Sequence, residues 1–237
     1  MGNRLGGWLV AAAAAVALLG VSIAPFLHPS AVRFEQDRGG VVERTGYSPT
    51  ELDRMTAELL ADLVLWQGDF DVDDRRPIEW SGGQILSEGE KAHMRDVRNV
   101  FTGFWLLVTL AAIVLVVTRR RARVATARAA FWRAVSNGAR ALAIGIAVAG
   151  VFALVAFDAA FDVFHRLFFS AGTYTFDSAT SRLVQLFPMQ FWSDIAIAVG
   201  LVVLVLSILT AWVAGRRARR VVTAEPVRVL STSQVAT

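Results

Sequence analysis

Four apolar runs dominate the pattern along the chain, at residues 8–27, 100–118, 141–161 and 195–214. Each is close to the roughly 20 residues that a helix needs to cross the hydrocarbon core of a bilayer. None carries a charge before its last turn except Asp158, near the end of the third. The pattern predicts an all-α polytopic membrane protein with four transmembrane helices and a small helical extracytoplasmic domain. Residues 1–27 form the N-terminal tail and first span, 28–99 the first extracytoplasmic segment, and 100–118 the second span. Residues 119–140 follow as a cytoplasmic arginine-rich loop, 141–161 as the third span, and 162–194 as the second extracytoplasmic segment. Residues 195–214 make the fourth span and 215–237 a cytoplasmic tail, which reads as disordered beyond Arg220.

In the segment 28–99, Ser48-Pro49-Thr50-Glu51 reads as a helix start with a capping box and proline at the first helical position. Leu52, Met55, Leu59, Leu60 and Leu63 then recur at helical spacing, with Trp66 near the end and Gly68 closing the helix. This apolar stripe must bury against the membrane surface or against a second helix of the same domain. Asp69 to Asp74 is acidic, and Gly82-Gly83 marks a turn. A second capping box, Ser87-Glu88-Gly89-Glu90, starts a helix that continues into the second span. In the last polar segment, Asp177 or Ser178 caps a short helix that Pro188 ends.

Charge orients these elements. The segments assigned to the cytoplasm hold thirteen basic residues and one acid, Glu225. The segment 28–98 has fifteen acids against nine bases, and the second polar segment, counted with Asp158 at the end of the third run, has four acids against two bases. By the positive-inside bias both termini are cytoplasmic. The sequence pI of about 10.5 therefore reflects topology and anionic lipid, and the scarcity of aromatics among the arginines excludes a nucleic-acid partner. The first apolar run is longer than a signal-peptide core, and Pro25 follows the small residues Val21-Ser22-Ile23-Ala24, so it reads as an uncleaved helix. With no cysteine in the chain, thioester chemistry, disulfides and thiolate ligands are excluded.

Two of the three histidines stand just beyond the same end of predicted spans. His93 lies seven positions before Val100, about 10 Å above the apolar slab at the helical rise. His165 follows the third run by one to two turns, among Phe161, Phe164, Phe168 and Phe169. Asp96 stands at i+3 from His93, Glu90 at i−3, and Asp162 at i−3 from His165, so each ring can share a helix face with a carboxylate. Histidine exchanges protons near neutrality, and a carboxylate can orient it, so the pairs are candidates for acid–base chemistry on a lipid headgroup. The bland alternative is two interfacial polar residues beside helix-end acids. Asp158 sits two turns below His165 on nearly the same face, either lining a cavity or marking an earlier helix end. Arg166 and Arg182 are candidates to hold a phosphate or an ester carbonyl, or to pair with Asp162 and Asp177. His28, before Pro29, marks the interface. Without a local chelate such as His-Glu-x-x-His, no metal is assigned, and Ser81 and Ser170 lack the glycine pattern of a nucleophile elbow.

Three stretches carry a likeness to a known family: EKAHMRDV from Glu90, FDVFHRLFF from Phe161 and LVQLFPMQFW from Leu183. With them and the four-span layout, the chain resembles the integral membrane family that includes the bacterial lipoprotein intramolecular transacylase, Lit. The resemblance implies an acyltransferase of the bacterial cytoplasmic membrane. Its substrate would be a diacylglyceryl lipoprotein in membrane lipid, whose sn-2 acyl chain moves to the α-amine of the N-terminal cysteine. It implies His93 and His165 as the catalytic pair and no cofactor. On this reading His165 is the base, oriented by Asp162. His93 with Asp96 supplies the acid or polarises the carbonyl, or the two roles are exchanged. Asp158 and Glu90 support the pair, and Arg166, Arg182, Tyr174, Phe168 and Phe169 contact substrate. The chain departs from the family expectation at Thr173-Tyr174-Thr175-Phe176, where tryptophan is expected, and at Ser181, where an acid is. The rival readings are a non-catalytic lipid- or lipoprotein-binding membrane protein and, last, a small transporter, for which mid-span charges would be expected.

Overall fold

The computed structural model describes residues 2–74 and 83–223. Nine α-helices are described: α1 (Gly2–Ile23), α2 (Pro29–Arg38), α3 (Val41–Thr45), α4 (Pro49–Leu65), α5 (Glu88–Arg121), α6 (Ala125–Val155), α7 (Phe157–Phe168), α8 (Arg182–Leu186) and α9 (Met189–Thr223). A 3-10 turn, Ala24–Leu27, extends α1. Among the described residues no strand forms; an isolated bridge joins Asp73 to Gln84. Four helices, α1 with its 3-10 turn, α5, α6 and α9, are long and apolar enough to cross a membrane. The protein is an all-α, multi-pass membrane protein. The tail beyond Thr223 and the first glycine of the Gly82-Gly83 turn lie outside the described residues.

Four local expectations are corrected. The arginine-rich stretch 119–140 is helical apart from residues 122–124, because its alanine-rich sequence favours helix and the arginines at the end of α5 complement the helix dipole. The helix of the third span, expected over 141–161, ends at Val155: the chain breaks at Ala156 (φ −144°, ψ 58°) and α7 starts afresh. Asp158 is then a first-turn acid of α7, where a negative charge is favoured, and it is exposed rather than lining a cavity. α4 ends not at Gly68 but at Trp66, which takes the left-handed conformation (φ 57°). Gly68 answers a different need, since a Cβ there would lie 2.6 Å from Asp62 Oδ1. Finally, His28 is an N-cap: its ring accepts the Ser30 N–H ahead of α2, with Pro29 at the first helical position.

The chain divides into two compact units. Residues 23–104 and 150–199 form one, and its core answers the question posed by the α4 stripe. Leu52, Met55 and Leu59 bury against Val41, Tyr47, Phe70, Val72, Ile85, Leu86, Met94 and Leu186. Each such side chain contributes about 1.5–3 kcal/mol by leaving water. A buried polar link runs through this core: Thr56 donates to Gln36 Oε1 at 3.0 Å, and Gln36 Nε2 donates to the Leu186 carbonyl at 3.2 Å. The acidic run is bound to the first turns of α5. Asp69 pairs with Arg95 and Arg98, and Asp71 with Lys91, whose side chain is 2% exposed. Burial disfavours the Lys91 ammonium, but its bonds to Asp71 and Glu88 outweigh this and raise its pKa.

The other unit, residues 2–22, 105–149 and 200–223, is packed through small residues. Val10, Ala14, Ala134, Val135 and Ala214 form its core. α1 and α6 approach so closely that a Cβ on Gly138 would lie 2.0 Å from the Ala11 carbonyl oxygen. Ser136 Oγ of α6 donates to the Ala211 carbonyl of α9 at 2.8 Å. Close backbone approach and interhelical hydrogen bonds are what hold helices together where lipid removes the hydrophobic drive.

Candidate active site

The site lies within the unit of residues 23–104 and 150–199. His93 stands in the polar first turns of α5, ahead of the apolar run that begins at Val100 and thus outside the spanning stretch. The Ser87 capping box fixes the start of this helix: Ser87 N–H and Oγ donate to Glu90 Oε2 at 2.7 and 2.8 Å. His165 stands in the last turns of α7. The two rings face each other with centroids 6.0 Å apart and planes inclined by 25°. Both are buried, His93 at 7% and His165 at 8% exposure.

Aromatic rings close around the pair. Phe169 packs on both, 4.9 Å from His93 and 5.4 Å from His165. Tyr174 lies 5.1 Å from His165, and Phe176 lies 5.8 Å from His93. Phe161 and Phe164 complete the surround of His165. The chain achieves this by leaving the helix at Phe169, which is extended, and turning at Gly172 (φ 85°), a conformation that suits glycine.

His165 Nδ1 lies 2.8 Å from the Phe161 carbonyl oxygen. A carbonyl can only accept, so Nδ1 carries the hydrogen and the neutral ring presents the lone pair of Nε2. His93 Nδ1 is buried and has no partner among the described residues. Burial, reinforced by the neighbouring His165 and opposed by the charge of Asp96, lowers the His93 pKa to about 4. His93 is therefore neutral across the physiological range.

The carboxylates do not take the places the spacing offered them. Asp162 pairs with Arg166 at 2.7 Å, and the i−4 carbonyl, not Asp162, orients His165. Asp96 acts on His93 through its charge alone. Glu90 turns away from His93: its Oε1 accepts from Ser181 Oγ at 2.5 Å and from the Leu183 N–H at 2.9 Å. Burial raises the Glu90 carboxyl, but the bonds from Ser181, Leu183 and Ser87 outweigh it and hold the group below the ordinary glutamate value. Asp158 is exposed at the start of α7, and Arg182 bonds Gln185. Phe168 is exposed and contacts Phe164 rather than either histidine. Phe176 and the Ser181–Glu90 link were not singled out from sequence. A serine three residues before a glutamate reveals the capping box but not where the second carboxylate oxygen goes. No group of three metal-binding side chains assembles among the described residues.

The family model described as "Lipoprotein intramolecular transacylase Lit" matches residues 8–192, a stretch holding both histidines and every ring around them. The chain belongs to the Lit family. It is an acyltransferase of the kind that family is named for, a lipoprotein intramolecular transacylase. Its fold is that of the membrane integral Lit of Bacillus cereus, with a TM-score of 0.71 at 18% identity over 95% of this chain and 98% of that one. A variant of that protein with one histidine changed to arginine gives a TM-score of 0.68 at 17% identity, covering 95% of this chain and 94% of its own. An alanine variant gives 0.64 at 18% identity, covering 95% and 96%. No curated protein sequence matches the chain.

Proposed function

We propose that this Lit-family protein moves the sn-2 acyl chain of a diacylglyceryl-modified N-terminal cysteine onto that cysteine's own α-amine. The product is an N-acylated lyso-form lipoprotein, and His93 and His165 are the catalytic pair. The observation that carries the reading is the meeting of two buried imidazoles, 6.0 Å apart, inside a box of aromatic rings.

Because amine and ester belong to one substrate, the protein's task is to fold the headgroup into attack geometry and to relay one proton. With Nδ1–H committed to the Phe161 carbonyl, His165 offers Nε2 as a base. It takes a proton from the α-amine as nitrogen attacks the ester carbonyl and the C–N bond forms. The tetrahedral intermediate then collapses, the bond to the sn-2 glycerol oxygen breaks, and that oxygen recovers the proton from His165. His93, held neutral by burial, donates a ring N–H to the developing oxyanion. This favours the polarising role for His93 over the acid. Phe169, Tyr174 and Phe176 keep water from the acyl group, which would otherwise be lost as a free fatty acid. Exposed on α7, Phe168 offers apolar surface to the acyl chains and Arg166 a charge to the headgroup.

The arginine excess at the chain's ends and between α5 and α6 supports cytoplasmic termini, with the histidines at the outer face of the bacterial cytoplasmic membrane, beside lipoprotein and lipid. The test is mass spectrometry of the N-terminal peptide of a diacyl lipoprotein incubated with purified protein. The wild type should give an N-acylated lyso peptide of unchanged total mass, and His93→Ala and His165→Ala should give none. Normal product from either variant rules out that histidine; bound but unaltered lipoprotein with the folded wild type favours a binding module.

A further inference from the structure

We propose that the end of α4 is an interfacial anchor, a patch that enters the acyl-chain region of the leaflet on the histidine side of the membrane. Val64, Leu65 and Trp66 are all exposed, Leu65 at 63% and Trp66 at 54%. Apolar residues exposed singly are ordinary, but three in succession at one helix end make a patch that calls for a partner. They take no part in the core of their own unit, which the same helix fills with Leu52, Met55 and Leu59.

Continuity with the second span identifies the partner. Trp66 Nε1 donates to Thr102 Oγ1 at 3.3 Å, and Thr102 stands two residues inside the apolar run that begins at Val100. At the helical rise that is about 3 Å past the apolar edge, close to the level where tryptophan concentrates in membrane proteins. The indole is held there from several sides. The Arg98 guanidinium lies 4.3 Å from the Trp66 ring centroid, donates to the Gly68 carbonyl at 2.8 Å and pairs with Asp69. Trp66 itself takes the left-handed conformation, which a bulky residue adopts only where its surroundings dictate it. The carboxylates that flank the patch are engaged. Asp62 is buried and accepts the Phe70 N–H at 2.8 Å, and Asp69 is matched by Arg95 and Arg98. The patch can therefore meet hydrocarbon without carrying either carboxylate in unpaired. The same contacts tie it to the first turns of α5, so the leaflet helps to set the height of His93.

The chain has no cysteine, so a nitroxide on one introduced thiol reports one position. Leu65→Cys, Leu110→Cys and Asp53→Cys are labelled singly in the full chain and returned to vesicles of phosphatidylglycerol and phosphatidylcholine. Leu110 is exposed in the middle of the second apolar run and marks hydrocarbon; Asp53, a carboxylate 62% exposed near the start of α4, marks water. Relaxation of each label by oxygen, which concentrates in hydrocarbon, is compared with relaxation by a water-soluble nickel chelate. Oxygen should outweigh the chelate at Leu65, as at Leu110, and the chelate should outweigh oxygen at Asp53. Val64→Cys, at the neighbouring exposed position, should repeat the Leu65 result. Chelate access at Leu65 and Val64 equal to that at Asp53 would place the end of α4 in water. Poor access for both reagents would mean that protein covers it. Either result would overturn the proposal.

Discussion

Replacing Glu90 with glutamine separates two roles that its position allows: polarising His93 one turn away, or clasping α8 to the start of α5. The structure favours the clasp. The residue is 3% exposed, its Oε1 takes donors from Ser181 and Leu183, and its Oε2 takes two from Ser87. A glutamine can keep its oxygen toward Ser181 and Leu183, but its NH2 then meets the Ser87 N–H, donor against donor. The Ser87 hydroxyl can turn and accept; the Ser87 N–H cannot. One charge-assisted bond is lost and the others become neutral, for a cost of about 2–3 kcal/mol. In a chain of this size that corresponds to a fall in Tm of about 5–10 °C. Thermal unfolding in detergent at neutral pH reads the loss, and the pH–rate profile of the folded variant should match the wild type. An unchanged Tm with a displaced acid limb in that profile would refute the clasp and restore Glu90 as a partner of His93.

His93 makes the fold acid-sensitive. Its pKa is about 4 when folded against 6.5 when unfolded, so the unfolded chain takes up the proton first. Stability is complete above pH 6.5 and declines as pH falls toward 4, by up to about 3 kcal/mol. Glu90, whose folded pKa is depressed, adds a loss in the same direction as pH falls below the ordinary glutamate value. Tm against pH should show the upper window in the wild type and not in His93→Phe; a flat wild-type curve between pH 6.5 and 4.5 counts against a buried neutral ring. Phe169→Ala removes the ring shared by both histidines, so free fatty acid should appear beside the N-acyl product; chromatography that finds none would show that Phe169 does not exclude water. Gly138→Ala forces α1 from α6 and should destabilise by about 1–3 kcal/mol, whereas Gly145→Ala, with open space around it, should not; equal Tm values for the two would contradict the close approach.

The features legible in the sequence are those with local causes. Four apolar runs declare four spans, and both capping boxes, Ser48 with Glu51 and Ser87 with Glu90, form as their spacing requires. The break at Ala156 carries no such mark, since neither proline nor glycine stands within five residues of it. α2 was hidden because only Val32, Glu35 and Gln36 of its ten residues bury, which leaves no apolar stripe to read. The Asp162–His165 spacing suits a bond, yet the side-chain direction in a helix carries Nδ1 back to its own i−4 carbonyl. That His93 and His165 meet at all is a long-range fact. Spacing brought each to an acid, and the family resemblance paired them; neither indicated that both rings would be nearly free of carboxylates.

Isotope mixing tests the proposed intramolecular acyl shift most directly. A diacyl lipopeptide with a deuterated sn-2 chain and a mass-tagged peptide is incubated with an excess of the unlabelled lipopeptide and the wild-type protein. An intramolecular shift predicts that every N-acylated tagged peptide carries deuterium and that no unlabelled peptide does, with no product from His165→Ala. Tagged peptide bearing an unlabelled N-acyl chain would mean that the acyl group comes from another molecule, and would contradict the account.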